Sequence, residues 1–402
     1  MSFIPFTVAA IAIGVVAVIF DVVQVPLPYP AFQFVVSDIR PDLIPIEPSP
    51  LEGVYSPNTA LQSSKLVLKG AAFGVETVAV SEDGKTVYLP DKFGNLIQGK
   101  VVDDGDSGLE IKVDPVQPVL TFLGAGRPLG AMVDRNGDVI VCDSVKGLLK
   151  VEVSSGRIEI LANRVSDNSP KDPRTTITYA NDLDIARDGT IYFTDSSKVP
   201  VALGYGGWYD TLESFMLTVF EGRSTGRLLS YNPLTRETYV VSPGFWFANG
   251  VALSRDETFV AVVETVSLRV YKCYIKGPHA GTRHLLIDSL PGFPDGIARS
   301  SDGNFWVSIV APPSPILKLL PYKPLRALIA YLPSFLRPTV QSWGFVLKID
   351  GEGKVLEKLM DPDGAFISHI SAVQEADGKL FMGNLVGDYV SIFDLGVLKN
   401  RD

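Results

Sequence analysis

Val75-Glu76-Thr77-Val78-Ala79-Val80-Ser81-Glu82-Asp83-Gly84-Lys85-Thr86-Val87-Tyr88-Leu89 is the stretch whose reading decides the fold. It reads as a strand, an Asp-Gly turn and a returning strand. The same pattern returns in Met132–Val141 around Asn136-Gly137, Leu183–Phe193 around Asp188-Gly189 and Val251–Val262 around Asp256-Glu257. It returns twice more, in Ile297–Val307 around Asp302-Gly303 and Ala372–Met382 around Asp377-Gly378. From turn to turn the steps are about 53, 52, 68, 46 and 75 residues. Several short strands per unit, at a period of roughly 40–50 residues, are the signature of a β-propeller. The expected fold is therefore all-β: a six-bladed β-propeller with short helical insertions where the two long steps fall. Inside the units, Gly189-Thr190-Ile191-Tyr192-Phe193-Thr194 and Gly226-Arg227-Leu228-Leu229-Ser230-Tyr231 carry the β-branched and aromatic residues of strands.

The repeat also serves as a ruler. Seven residues before each turn residue stand Glu76, Leu129, Asn181, Asn249, Asp295 and Ile370. Equivalent units place these near the start of each innermost strand, where side chains converge on the channel axis. Two carboxylates and two amides, Glu76, Asp295, Asn181 and Asn249, suit a hard cation such as Ca²⁺, which takes oxygen ligands. No Cys or His shares the register, which disfavours zinc and copper. An isolated Asn or Asp at a strand start more often bonds its own backbone; four in one register point to a divalent-metal site.

Phe245-Trp246-Phe247-Ala248-Asn249-Gly250-Val251-Ala252-Leu253-Ser254, followed by Val263-Glu264-Thr265, resembles the signature of strictosidine synthase-like proteins. Thr194-Asp195-Ser196-Ser197, Gly226-Arg227-Leu228-Leu229, Pro291-Gly292-Phe293-Pro294-Asp295-Gly296, Phe305-Trp306-Val307 and Asp361-Pro362-Asp363-Gly364 extend the resemblance from about Leu66 to Leu395. Paraoxonases and gluconolactonases are more distant kin, propellers with a catalytic divalent metal on the axis. The resemblance carries their metal ligands onto Glu76, Asn181, Asn249 and Asp295. It implies a metal-dependent hydrolase of small-molecule esters or lactones, of arylesterase type, with Glu76 or Asp295 as base. The alternative is a non-catalytic scaffold pinned by the same cation. There are departures. Gly296 replaces an Asn the family often has, and the paraoxonase His dyad position reads Pro128-Leu129-Gly130. Ile367-Ser368-His369-Ile370-Ser371 lacks the catalytic Glu of strictosidine synthases, which disfavours Pictet–Spengler condensation. His369, beside the register, is the histidine placed to carry a proton for a substrate in the channel.

A net charge of −9 argues against a nucleic-acid partner, and no Gly-rich phosphate loop precedes a helix, so no nucleotide is expected. Phe3–Phe20 is a run of eighteen uncharged residues, the lower end of what crosses a bilayer. Residues 1–24 read as a signal anchor or signal peptide. The anchor is favoured, because no Lys or Arg precedes the apolar run. This places the chain on an endomembrane or plasma membrane as a single-pass protein, or makes it secreted or vacuolar after cleavage. Residues 25–63, rich in proline, read as an extended spacer and 64–398 as the propeller, with Ser64–Leu68 adding an outer strand to the sixth unit.

The insertion at 199–222 sets Leu212, Phe215, Met216 and Val219 at helical spacing. The one at 312–338 holds Lys318, Lys323, Arg326 and Arg337 with no acid, and reads as short helices forming a lid, a membrane-interface segment or a solvated basic loop. Cys142 and Cys273 fall in different units and are expected as free, buried thiols.

Overall fold

Each copy of the repeat forms an antiparallel hairpin, and each hairpin is the inner half of a four-stranded sheet. The computed structural model describes residues 34–400 apart from 45–46, 104, 106–107, 205 and 333–340. Blade one runs Ala79–Val80, Thr86–Pro90, Asn95–Asp103 and Leu109–Val113, with Val119–Phe122 also paired to its third strand. Blades two to five follow the same order from the inner strands Pro128–Val133, Ala180–Ile185, Ala248–Leu253 and Phe293–Arg299. Blade six takes Ile370–Ala376, Lys379–Asn384 and Val390–Asp394 from the end of the chain and Lys65–Val67 from its beginning. That pairing closes the ring as the sequence predicts, and leaves no gap between first and last blades.

Strict twofold alternation is not what the second strands show. In Phe259–Glu264 every residue is buried, because both faces of a blade are covered by its neighbours. Such strands read as continuous apolar runs, Val260-Ala261-Val262-Val263 among them, each side chain worth about 1.5–3 kcal/mol of burial.

The insertions build a roof at the end where the inner strands begin. Residues 202–210 form a two-stranded hairpin, Ala202–Leu203 against Tyr209–Asp210. Helix α1 (Thr211–Glu221) follows; the Asp210 side chain accepts from Glu213 N at 3.0 Å at its start, and Gly222 at φ +74° ends it. Phe215, Met216 and Val219 pack into the roof as expected, whereas Leu212 is exposed. The second insertion gives a 3₁₀ turn (Pro315–Leu319) and helix α2 (Lys323–Tyr331). Arg326 is not solvated there. Its guanidinium is buried and donates to Phe220 O at 2.8 Å and Ser37 O at 2.6 Å, tying α2 to the last turn of α1 and to the N-terminal segment. The Pro-rich stretch, where described, lies against the propeller rather than standing off from it. Arg269 donates to Asp42 O, Asn58 Nδ2 to Lys358 O and Gln62 Nε2 to Asp361 Oδ1. The expected membrane segment, residues 1–24, lies outside the described residues; no helix among those described is long and apolar enough to cross a membrane. Both cysteines are free and buried.

Candidate functional site

Pairing of first and second strands skips two residues at the same place in five blades. The skips fall between Pro128 and Ala131, Ala180 and Leu183, Ala248 and Val251, Pro294 and Ile297, and Ile370 and Val373. The first residue of each skip is Leu129, Asn181, Asn249, Asp295 and, in blade six, Ser371. The seven-residue ruler therefore slips by one in the last blade. The reason is local: blade six closes its hairpin with two residues, Asp377 (φ +47°) and Gly378 (φ +69°), where blade two uses five. Two residues before this position stand Gly74, Arg127, Tyr179, Phe247, Phe293 and His369. Three of them, Gly74, Phe247 and His369, share a left-handed φ of 56°, 68° and 51°, which supports the corrected alignment.

The inner strands are stitched to one another through these skips. Thr194 Oγ1 donates to Asn249 O at 2.7 Å, Ser308 Oγ to Ser371 O at 2.6 Å and Ser371 Oγ to Glu76 O at 3.0 Å. Asp182 Oδ2 accepts from Val251 N at 3.0 Å. Close approach requires glycine at two of the following positions: a Cβ on Gly250 would lie 2.6 Å from Asp295 O, and one on Gly296 2.7 Å from Ser371 O. Gly296, the departure from the family pattern, is thus a packing position.

The ring brings Asn249 and Asp295 into direct contact, Asn249 Nδ2 donating to Asp295 Oδ1 and also to Thr265 Oγ1 at 3.1 Å. Glu76 feels the Asp295 charge. Asn181 is buried with them, and its Oδ1 has no hydrogen-bond partner. An orphaned buried acceptor costs about 1–3 kcal/mol. Burial, with Asp295 nearby, pushes the Glu76 carboxyl well above the usual range; Arg127 opposes the rise. Burial pushes Asp295 up to about 7, against the bond from Asn249. Asp182, beside Asn181, is also raised to about 7 by burial. Burial, with the Asp295 charge nearby, favours the protonated form of Glu76, and burial does the same for Asp295, a preference that a bound cation would oppose.

The donor set fits a hard cation: two carboxylates and two amides, one of which, Asn181, has an oxygen with nothing to accept from. Among the described residues no group of three or more His, Cys, Asp or Glu is gathered as a metal cluster, the ring itself contributing two carboxylates. Calcium bound to these four side chains would have at least two ligand positions left for water or another oxygen.

Above the ring, Tyr179, Phe215, Phe247 and Phe293 form an edge-to-face aromatic wall with centroids 4.9–6.4 Å apart. Tyr179 OH donates to Thr211 O, joining the wall to α1. His369 is half-buried in the same layer by register. Its Nδ1 meets Ser368 Oγ at 3.1 Å, its backbone N donates to Trp343 O, and no hydrogen bond joins it to the four ring residues. Burial lowers its pKa, so the ring is neutral at pH 7 and can accept a proton. Below the ring a cavity of about 370 Å³ is lined by Asp182, Asp184, Arg255, Arg299 and Gln374, among others. Glu375 is there too, committed to Ser301 and Trp306 Nε1 and remote from the mouth.

Sequence reasoning missed Arg127, Asp182 and Ser371. A second ruler, nine residues before each turn, would have found Arg127 with Tyr179, Phe247 and Phe293. Asp182 was legible as the neighbour of Asn181. Ser371 needed the turn length of the last hairpin.

The architecture and its axial ring define a six-bladed propeller of the gluconolactonase kind in fold. A gluconolactonase from Xanthomonas campestris superposes with a TM-score of 0.53 at 17% identity, over 82% of this chain and 88% of that one. The strictosidine synthase family profile matches residues 181–278, a stretch that opens at Asn181 and contains Asn249. The adipocyte plasma membrane-associated protein of Salmo salar is 32% identical over 383 residues, covering 90% of this chain and 86% of that protein. Strictosidine synthase-like 3 of Arabidopsis thaliana is 31% identical over 353 residues, covering 83% and 86%. The chain belongs to the strictosidine synthase-like family.

Proposed function

We propose that this chain is a membrane-anchored, divalent-cation-dependent hydrolase of small esters or lactones, with Ca²⁺ the best-suited ion. Glu76, Asn181, Asn249 and Asp295 would hold the cation, and the observation that carries the reading is the orphaned, buried Asn181 Oδ1 in the same blade register as two raised carboxyls. A gluconolactonase shares the fold, and relatives are named for association with the plasma membrane, as Phe3–Phe20 would provide here. A bound cation supplies polarisation of a carbonyl and stabilisation of developing negative charge. Glu76 or Asp295 takes the proton from the attacking water. As the acyl–oxygen bond breaks, His369, neutral and in the layer above, would relay that proton from the carboxyl to the leaving oxygen. The aromatic wall excludes bulk water and orients an apolar acyl or aryl group.

A second reading is favoured by one observation: all four ring side chains are nearly inaccessible, at most 6% exposed, beneath the roof. In that reading the cation pins the blades and no turnover occurs. Calcium titration of wild type, Glu76→Gln and Leu129→Ala, each assayed with aryl acetates and lactones, separates the two. The hydrolase reading expects lost affinity and lost turnover in Glu76→Gln alone. Calcium affinity without turnover in any protein leaves the structural reading, and equal affinity in all three removes the ring as the cation site.

A further inference from the structure

The two ends of the propeller differ in chemistry. The loops around the channel mouth expose Phe73, Phe93, Val145, Leu203, Leu212 and Val386, each between 37% and 62% accessible. The turns at the opposite end carry Asp134, Arg135, Arg187, Asp188, Arg255 and Asp302, with Leu234 as their exposed large apolar side chain. Part of the mouth patch is continuous. Phe73 and Phe93 lie 6.0 Å apart, Phe93 and Trp208 6.2 Å, and Lys92 Nζ sits 4.0 Å over the Trp208 ring. The hairpin carrying Trp208 belongs to blade three and Phe93 to blade one, so the insertion arches over the mouth. Exposed Lys198 and Lys318, with Tyr322 and with Lys323 paired to Asp38 Oδ2 at 3.3 Å, rim the same face on an otherwise acidic chain.

What covers this face is indicated by where the chain enters. Phe34 packs against the Val199–Leu217 pair beside the roof, and Ser37 N donates to Glu221 O at 2.8 Å. The apolar run ends at Phe20, so residues 21–33 connect it to the mouth side over at most about 45 Å, even fully extended. On the membrane-anchored reading of Phe3–Phe20, on which this inference rests, a tether that short, attached on that side, keeps the apolar and lysine-rimmed face next to the membrane. Aromatic residues and lysines on one face are the composition of a membrane-interface surface.

We propose that the loop face around the channel mouth rests on the lipid surface of the bilayer, with anionic headgroups against its lysines. The mouth then opens toward lipid. The substrate class that follows, an ester or lactone dissolved in the bilayer, rests on the hydrolase reading; the docking does not.

The test uses the full chain in phosphatidylcholine vesicles containing phosphatidylserine. Leu203→Cys and, separately, Val386→Cys carry an environment-sensitive NBD label, and Leu234→Cys marks the opposite end; Cys142 and Cys273 are buried. Blue-shifted emission at 203 and 386, quenched at least twofold by lipids doxyl-labelled in the upper acyl chain, with water-like emission at 234, is expected. Water-like emission at all three positions overturns the proposal. So does shielding at 203 and 386 that lipid quenchers leave unchanged, which would mean a protein or a second copy covers the face. Quenching without any ester turnover overturns the hydrolase reading and leaves the docking in place.

Discussion

Asp295→Asn tests the charge balance of the ring without changing its shape. The substituted amide oxygen can still accept from Asn249, so the packing persists while the carboxylate is gone. In the folded chain Asp295 titrates near 7 instead of its ordinary 3.8. A folded-state pKa above the unfolded one means the native protein keeps a proton that the unfolded chain has lost. Stability therefore falls as pH rises from about 4 to about 7, and the full cost is present above that. At about 1.4 kcal/mol per pKa unit, the wild type loses roughly 2–3 kcal/mol between pH 5 and pH 8 that the variant retains. For a propeller of this size that is about 3–4 °C in Tm. Calcium reverses the order: at a hundredfold excess over Kd it returns about 2.7 kcal/mol to the wild type, and much less to the variant. Scanning calorimetry at pH 5 and pH 8, in chelator and in calcium, reads all of this. An Asp295→Asn protein that is less stable than wild type at pH 8 in chelator would refute the reasoning. An equal calcium shift in both proteins would refute the assignment of Asp295 as a ligand.

Three further outcomes follow from named contacts. His369→Gln is expected to lower kcat/KM by about a hundredfold with calcium affinity unchanged, measured by initial rates and titration; unchanged turnover removes His369 from the mechanism. Arg326→Met leaves Phe220 O and Ser37 O without their donor and should cost about 2–4 kcal/mol, with hydrogen exchange rising first in α1 and residues 34–44. Asn58→Ala loses the bond to Lys358 O and those from Ala60 N and Met360 N, so a fall of about 1–3 kcal/mol is expected in denaturant titration.

The blade count was legible because each hairpin repeats its turn chemistry and apolar spacing within one unit. Closure by Lys65–Val67 was legible because Ser64–Leu68 is a strand-like segment preceding the first inner strand. The ring of Glu76, Asn181, Asn249 and Asp295 followed from counting back through hairpins whose five- or six-residue loops keep a common offset. Blade six broke the count because a two-residue turn lengthens its strand by one, which hid Ser371 and put His369 in register with Phe247. Arg326 is one of four basic residues in an insertion whose sequence fits a lid, a membrane-interface segment or a solvated loop, and its burial is not legible there. Its partners are backbone carbonyls of Phe220 and Ser37, distant in sequence, and no local pattern announces them. The contacts of Asp42, Asn58 and Gln62 with blades four and five were not legible for the same reason: prolines signal extension, not what an extended segment lies against.

The central claim is tested most directly by hydrolysis of phenyl acetate and a small lactone by the purified full-length chain, stripped with chelator and then restored with calcium. The account predicts turnover that disappears on stripping and returns with calcium. Turnover unaffected by chelation, or none at saturating calcium, would contradict it.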